Sequence, residues 1–323
     1  MSSLATYCTV TGCTGIYSVT TEASYSSLTA NATIECKATS LSLSSAIEID
    51  LGYAGDHSIV FDGYVKKITR QRPDGLFTIV ANDILVRAVD FFLASDDPEN
   101  PLTFHSISDY DLVNALLGEA GLPDVITAPP SPSFTFGTNE DGAKFNLQSV
   151  GEALQFTSTI TGRVIFCSQG GNIHYEERWP YIVGGDTPDW TWVTGASGQI
   201  LNISYEESNA SIRDRIVVYG KDDIHAEAED PSPYTVVRQT SVIAHEMIDT
   251  ADLASRTAAL NLTLLNRLGR SINIDLEGDH NVRARHIAHV TESYTGLDLD
   301  VFVYRVSHKL DDTGFQTSVV CVT

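Results

Sequence analysis

The chain has 323 residues and a formal net charge of −22, from 42 Asp and Glu against 20 Lys and Arg. So few cations cannot neutralise a run of phosphates, which argues against a protein that grips duplex DNA by counterion release. No apolar run approaches the roughly 20 residues that span a bilayer, and Met1-Ser2-Ser3-Leu4 lacks the basic and apolar regions of an export signal. Synthesis in a cytoplasm, with no membrane insertion by this chain, is therefore expected. The charge comes from 26 Asp and 16 Glu against 14 Arg and 6 Lys, which fits either a soluble acidic protein or adaptation to high salt. The five cysteines, Cys8, Cys13, Cys36, Cys167 and Cys321, are an odd number at no metal-ligand spacing. They read as free, mostly buried thiols, with a Cys8–Cys13 disulfide as the alternative.

Residues 1–45 are rich in Ser and Thr, and alternation at Ala32–Ala38 suggests strands. Three strand-like runs follow at Ala46–Leu51, Ser58–Thr69 and Gly75–Asp83, punctuated by Gly52, Gly55-Asp56 and the turn Pro73-Asp74-Gly75. Within Ser58–Ile68 the residues alternate between two mixed faces, as in an antiparallel sheet that is dry mainly on one side. Gly63 in that run reads as a bulge or a barrel corner.

Ser108, with Asp111 three residues on, predicts a capped helix carrying Leu112, Val113, Leu116 and Leu117 and ending at Gly121. A Pro-rich loop follows from Pro123 to Pro132, and then a short strand at Phe134-Thr135-Phe136. The capping logic repeats with Ser149 and Glu152, and Gly162 stops this second helix. Arg163–Cys167 and Asn172–Glu176 predict a hairpin turning at Gly170-Gly171. Strands resume at Ile200–Glu206 and Arg213–Gly220, and Trp190 and Trp192 point the same way from one strand. Lys221–Pro233 reads as an acidic surface loop. A third helix is expected at 250–268, with Asp252 and Arg267 suiting its dipole. Strands at Ser271–Leu276, Arg285–Glu292, Val301–Leu310 and Phe315–Val322 complete the chain.

Candidates for chemistry are few. His280, His286 and His289 are the best metal candidates, but i and i+3 residues face opposite sides of a strand. His245-Glu246 lacks the second His of a zinc hydrolase helix. Glu176-Glu177 and Glu206-Glu207 are strand neighbours that point apart, unlike two acids straddling a glycosidic bond. Asp222, Asp223, Glu227, Glu229 and Asp230 lack the alternation and glycine of a calcium loop. No nucleophile elbow, phosphate loop or nucleotide fingerprint occurs. The expectation is a non-enzyme with no catalytic, cofactor-binding or metal site and no cofactor.

Several motifs stand in a telling order: Phe61-Asp62-Gly63-Tyr64-Val65, then Ile107–Val113 running to Leu116–Leu122, then Ser149–Leu154 running to Gly162. Val306-Ser307-His308 and Gly314–Thr317 close the series. In this order the chain resembles the baseplate hub proteins of tailed viruses, a family that includes late-control tail proteins and the N-terminal part of type VI secretion spikes. The resemblance implies a mainly β fold with an α+β insert. Two β-barrel domains, 1–103 and 179–323, would flank a small α/β domain at 104–178, with the helix 250–268 inserted in the second barrel region. It implies a homotrimeric ring in the virion tail baseplate that joins the tail tube or a distal tail protein to the tail tip or spike. DNA would pass through its channel without specific binding. Two alternatives remain: a spike-base module of a contractile injection or secretion system, and a tail-tip hydrolase or carbohydrate-binding protein using Trp190 and Trp192. The insert, Phe104–Glu177, is expected to build a core of its own.

Overall fold

A computed structural model gives the fold and describes residues 5–71, 75–93, 101–126, 133–138, 140–177, 187–195, 198–207, 212–230, 239–267, 269–294 and 296–323. Pro73-Asp74, most of the Pro-rich loop, Pro231-Ser232-Pro233, the Arg267 side chain and Leu268 lie outside the described residues.

The fold is mainly β, as expected. Six strands come first: β1 (Thr6–Val10), β2 (Cys13–Ser24), β3 (Asn31–Thr39), β4 (Ala46–Tyr53), β5 (Asp56–Arg70) and β6 (Phe77–Asn82). They hydrogen-bond in the order β1-β4-β5-β6-β3-β2, all antiparallel. Gly63 sits where β5 passes close to β6: a Cβ there would lie 2.3 Å from the Asn82 carbonyl oxygen. Register shifts flank it, at Ile49/Asp50 on the β4 side and at Val65/Lys67 on the β6 side, so the run bends where its side chain is missing.

The chain then leaves the sheet through the short helix α1 (Val86–Asp90) and returns as nested antiparallel pairs. These are β7 (Phe92–Leu93) with β12 (Gln148–Ser149), β8 (Leu102–Phe104) with β11 (Ala143–Phe145), and β9 (Ile107–Ser108) with β10 (Thr135–Phe136). Between them lie helix α2 (Asp109–Glu119) and, after β12, helix α3 (Val150–Thr161). Ser108 accepts from the Asp111 amide at 3.1 Å. At α3 the capping box is complete: Ser149 Oγ accepts from the Glu152 amide at 3.1 Å, and Glu152 accepts from the Ser149 amide at 2.8 Å. Gly162 closes α3 at φ 65°, a left-handed conformation that glycine adopts without penalty. The hairpin β13 (Arg163–Cys167) and β14 (Ile173–Glu177) follows.

The remaining strands are β15 (Trp190–Val193), β16 (Ile200–Glu207), β17 (Arg215–Tyr219), β18 (His225–Glu229), β19 (Thr240–Ala244), β20 (Arg270–Glu277), β21 (Ile287–Glu292), β22 (Leu297–Asp311) and β23 (Gly314–Val322). Helix α4 (Ala251–Arg267) precedes β20, with the Leu253 amide donating to Thr250 Oγ1 at 3.2 Å. The second β region hydrogen-bonds as β22-β23-β20-β16, and β21 joins β22 to β15. β2 pairs with β22 from Val19 opposite Leu310 to Ser24 opposite Arg305, so both β regions form one 12-stranded sheet. Among the described residues neither half closes hydrogen bond by hydrogen bond into a barrel. Each half does keep its own core. Ile34, Ile49, Leu51, Phe61 and Ile79 fill the first, while Trp192, Ile274, Val290, Val303 and Val319 fill the second.

The insert departs from expectation. Leu112, Leu116, Leu117, Leu154 and Ile160 share one apolar core with Ile216 and Val218 of β17, Met247, Ile248, and Leu253, Ala254 and Ala258 of α4. A separate sheet, β18-β17-β19, forms part of this layer. The expected independent core at Phe104–Glu177 is therefore completed by residues from Ile216 onward, well downstream of it. Helices α2 and α3 have apolar faces wider than two helices can cover by themselves. β18 also departs from the acidic surface loop expected at Lys221–Pro233. Ala226 and Ala228 turn inward between exposed charges, and two alanines are a faint strand signal. The helical layer meets the large sheet at Tyr25, Val164, Leu264, Phe302 and Val322, with Tyr25 and Phe302 edge to face at 5.2 Å. Among the described residues no helix is long and apolar enough to cross a membrane.

Candidate functional site

The three histidines singled out for metal do not converge. Each finds its own carboxylate: His280 Nε2 lies 3.5 Å from Asp56, His286 Nδ1 lies 3.0 Å from Asp189, and His289 lies between Asp298 at 2.9 Å and Asp300 at 2.8 Å. The hydrogen bond to Asp300 and the charge of Asp298 hold the His289 pKa above its ordinary value. Among the described residues no group of three or more His, Cys, Asp or Glu is placed to hold a metal ion. His245 stacks on Phe156 at 3.6 Å and accepts from the Met247 amide at 3.1 Å, and burial lowers its pKa.

The paired acids are also accounted for. Glu176 and Glu177 line different cavities, one on each side of β14. Glu207 pairs with Arg270 at 3.4 Å and accepts from the Tyr205 hydroxyl at 2.8 Å. Glu227 and Glu229, two apart on β18, share Arg215 across the ladder instead of facing a calcium ion. Asp222 and Asp223 form the left-handed turn before β18. Trp190 and Trp192 stack at 6.0 Å and 13°, and Trp192 is buried in the second sheet core. That buried position leaves it no face for a sugar. All five cysteines are free.

Sequence reading missed two buried polar groupings. In the helical layer, Arg163 of β13 and Asp109 of α2 form a fully buried ion pair. The Tyr175 hydroxyl and the Phe134 amide donate to Asp109 at 3.0 and 3.1 Å. Asp109 stands beside Ser108 in a capping motif, so its sequence position suggested a solvent-facing helix end. In the β region, His308 of β22 is enclosed. Its Nδ1 lies 3.1 Å from Thr317 Oγ1 and its Nε2 3.2 Å from the Val282 carbonyl.

Burial, reinforced by Arg283, pushes the His308 pKa down to about 3, so the native state holds it neutral. The unfolded chain takes up that proton near pH 6.5, so His308 withdraws stability as pH falls from about 6.5 toward 3. Asp83 runs the other way. Burial raises its pKa to about 7, so its contribution is full below about pH 4 and is lost as pH rises to 7. Urea midpoints measured from pH 7 to pH 4 should therefore fall less steeply in His308→Gln than in the wild-type chain. Parallel profiles would show that His308 is not the acid-labile group.

The fold is shared with known proteins. The tail protein from Neisseria meningitidis MC58 superposes with a TM-score of 0.76 at 14% identity, over 99% of this chain and 97% of that one. The 43 kDa tail protein of prophage MuSo2 from Shewanella oneidensis gives 0.71 at 13% identity, covering 98% of both chains. The chain has a phage tail protein fold. The E. coli c3393 protein, a type VI secretion component described as structurally similar to T4 bacteriophage tail proteins, gives 0.62 at 6% identity over 98% of this chain and 76% of that one. No protein-family model matches the sequence, and no curated protein matches it. The tail fold is thus shared in backbone geometry at 14% identity or less.

Proposed function

We propose that the chain is a structural subunit of a viral tail baseplate, a homotrimeric hub joining the tail tube or a distal tail protein to the tail tip or spike. The observation that carries this reading is the full-length agreement with two tail proteins, which covers nearly all of both partners. The work in this reading is done by interfaces, with no catalytic step. Val89, Phe91, Phe92 and Leu147 are exposed together where β7 pairs with β12, and they supply apolar contact area for assembly. The β modules at 1–103 and 179–323, the latter without residues 212–267, form the ring, and the insert at 104–178, joined by residues 212–267, lies on its periphery. Three copies of a −22 chain give DNA an acidic wall along which to slide without being held. The protein resides in the virion tail after assembly in the host cytoplasm. The match to the type VI component favours a second reading, the base of a spike in a contractile injection system.

Light scattering is expected to give three times the chain mass. A cryo-EM map of the assembled particle is expected to show a ring with a central hole and acidic side chains on its wall. A chain that stays monomeric at high concentration and high salt, and forms no ring with a tail tube protein, overturns the hub reading. A ring with a neutral or basic wall overturns the repulsive channel alone.

A further inference from the structure

Where the two β modules and the insert meet there is a cavity of about 360 Å³. β2 and β5 form one side, the β13–β14 hairpin a second, and the segment 283–286 with β22 a third. Its cations are Arg283 and Arg285. Arg285 is held at φ 77°, a conformation costly for a side chain of this size. It lies over the Phe166 ring at 4.0 Å and donates from one terminal nitrogen to the Ser24 carbonyl at 3.1 Å. Its Nε is enclosed and has no hydrogen-bond partner among the described residues. Arg283 donates only to backbone carbonyls, those of His280 and Val282. In a chain with twice as many acids as bases, neither guanidinium has a carboxylate within ion-pair distance among the described residues.

The carboxylates around the cavity are occupied elsewhere. Glu22 faces Arg305 at 3.9 Å, and Glu176 faces His174 at 3.2 Å. Asp83 accepts from the Ala30 amide at 2.7 Å and the Leu85 amide at 3.0 Å, one with each oxygen. Its pKa near 7 means that it supplies much less than a full negative charge at neutral pH. Burial raises the pKa of Asp62 as well. Burial also lowers both guanidinium pKa values to about 10, and the charges of Asp83 and Glu176 near Arg285 and of Asp279 near Arg283 offset this only in part. Both guanidinium groups are half-buried with no carboxylate in contact among the described residues, and a carboxylate offered to a guanidinium fork is its best-matched partner.

We propose that this cavity receives an acidic side chain, Asp or Glu, carried on a segment of another protein chain. The carboxylate would accept from the terminal nitrogens of Arg285, and Arg283 would add a second charge. Val60, Phe61, Ala284 and Val306 give the cavity apolar walls that suit the stem of a side chain more than a free hydrated anion. Because the guest touches both β modules and the hairpin, its entry would tie the three units together. The inference holds for any partner that offers such a side chain, so it does not depend on the tail reading.

The test is calorimetric titration of the full chain with a blocked heptapeptide carrying one central Glu, and with the same peptide carrying Gln. The Glu peptide is expected to bind at least about tenfold more tightly than the Gln peptide. Arg285→Gln, with its fold checked by circular dichroism, should remove that preference, while Arg270→Gln should leave it intact. If Arg285→Gln does not fold, Arg283→Gln should weaken the Glu peptide severalfold. Equal binding of the two peptides, or no binding of either at millimolar concentration, overturns the proposal. So does acetate or inorganic phosphate binding as tightly as the Glu peptide, which would mark a small-anion pocket.

Discussion

Leu116→Asp is expected to unfold the whole helical layer, including β17–β19 and α4 far downstream, while the large sheet keeps its structure. Leu116 is fully buried in the core that α2 and α3 share with Ile216, Val218, Met247, Leu253 and Ala258. Losing the leucine alone costs about 2–5 kcal/mol, and placing a carboxylate in an apolar core adds several more. Hydrogen exchange gives the readout region by region. Amides of α2, α3, α4 and β17 should lose protection together, and amides of β3, β4 and β5 should retain it. If residues 212–267 remain protected while 104–177 open, the shared core is not one cooperative unit. If β3–β5 open as well, the layer and the sheet fold only together.

Arg163→Met should cost about 3–5 kcal/mol, the expense of leaving a buried Asp109 without its cation. The Tyr175 hydroxyl and Phe134 amide still reach Asp109, but neither carries a charge. Adding Asp109→Asn should recover much of the loss, because an amide carries no charge to bury, its oxygen accepts from the Phe134 amide and its NH2 can donate to the Tyr175 hydroxyl, which is able to accept. Urea unfolding followed by far-ultraviolet circular dichroism compares the three variants. Additive losses in the double variant would show that the pair acts through packing against Phe134 and Tyr175, and not through charge.

The local elements of this protein were legible because their causes are local. Ser149 and Glu152 specify the start of α3, and Gly162 its end, within one helical turn of chain at each place. The long strands β5, β22 and β23 announce themselves by alternation, and Gly63 by its position inside such a run. β18 and the five-residue α1 were not legible. Alternating Ala with charged residues, or a short run such as Val86–Asp90, carries too little apolar contrast to stand out.

The sequence by itself determined that the chain is acidic and β-rich, with two capped helices in its middle, and the order of its motifs already suggested a tail hub. Only the tertiary structure decided that β2 pairs with β22 and so joins both β regions in one sheet, because strand pairing depends on partners almost 300 residues apart. Only it decided that α4 belongs to the insert layer, because an apolar helix face does not specify which neighbour will cover it. The same holds for the charged groups. Asp109 and Arg163 form a buried ion pair, whereas the half-buried Arg283 and Arg285 have no carboxylate within ion-pair distance among the described residues, yet all four read alike as residues in a chain. What separates them is distance and burial, and these exist only once the backbone has brought remote segments together.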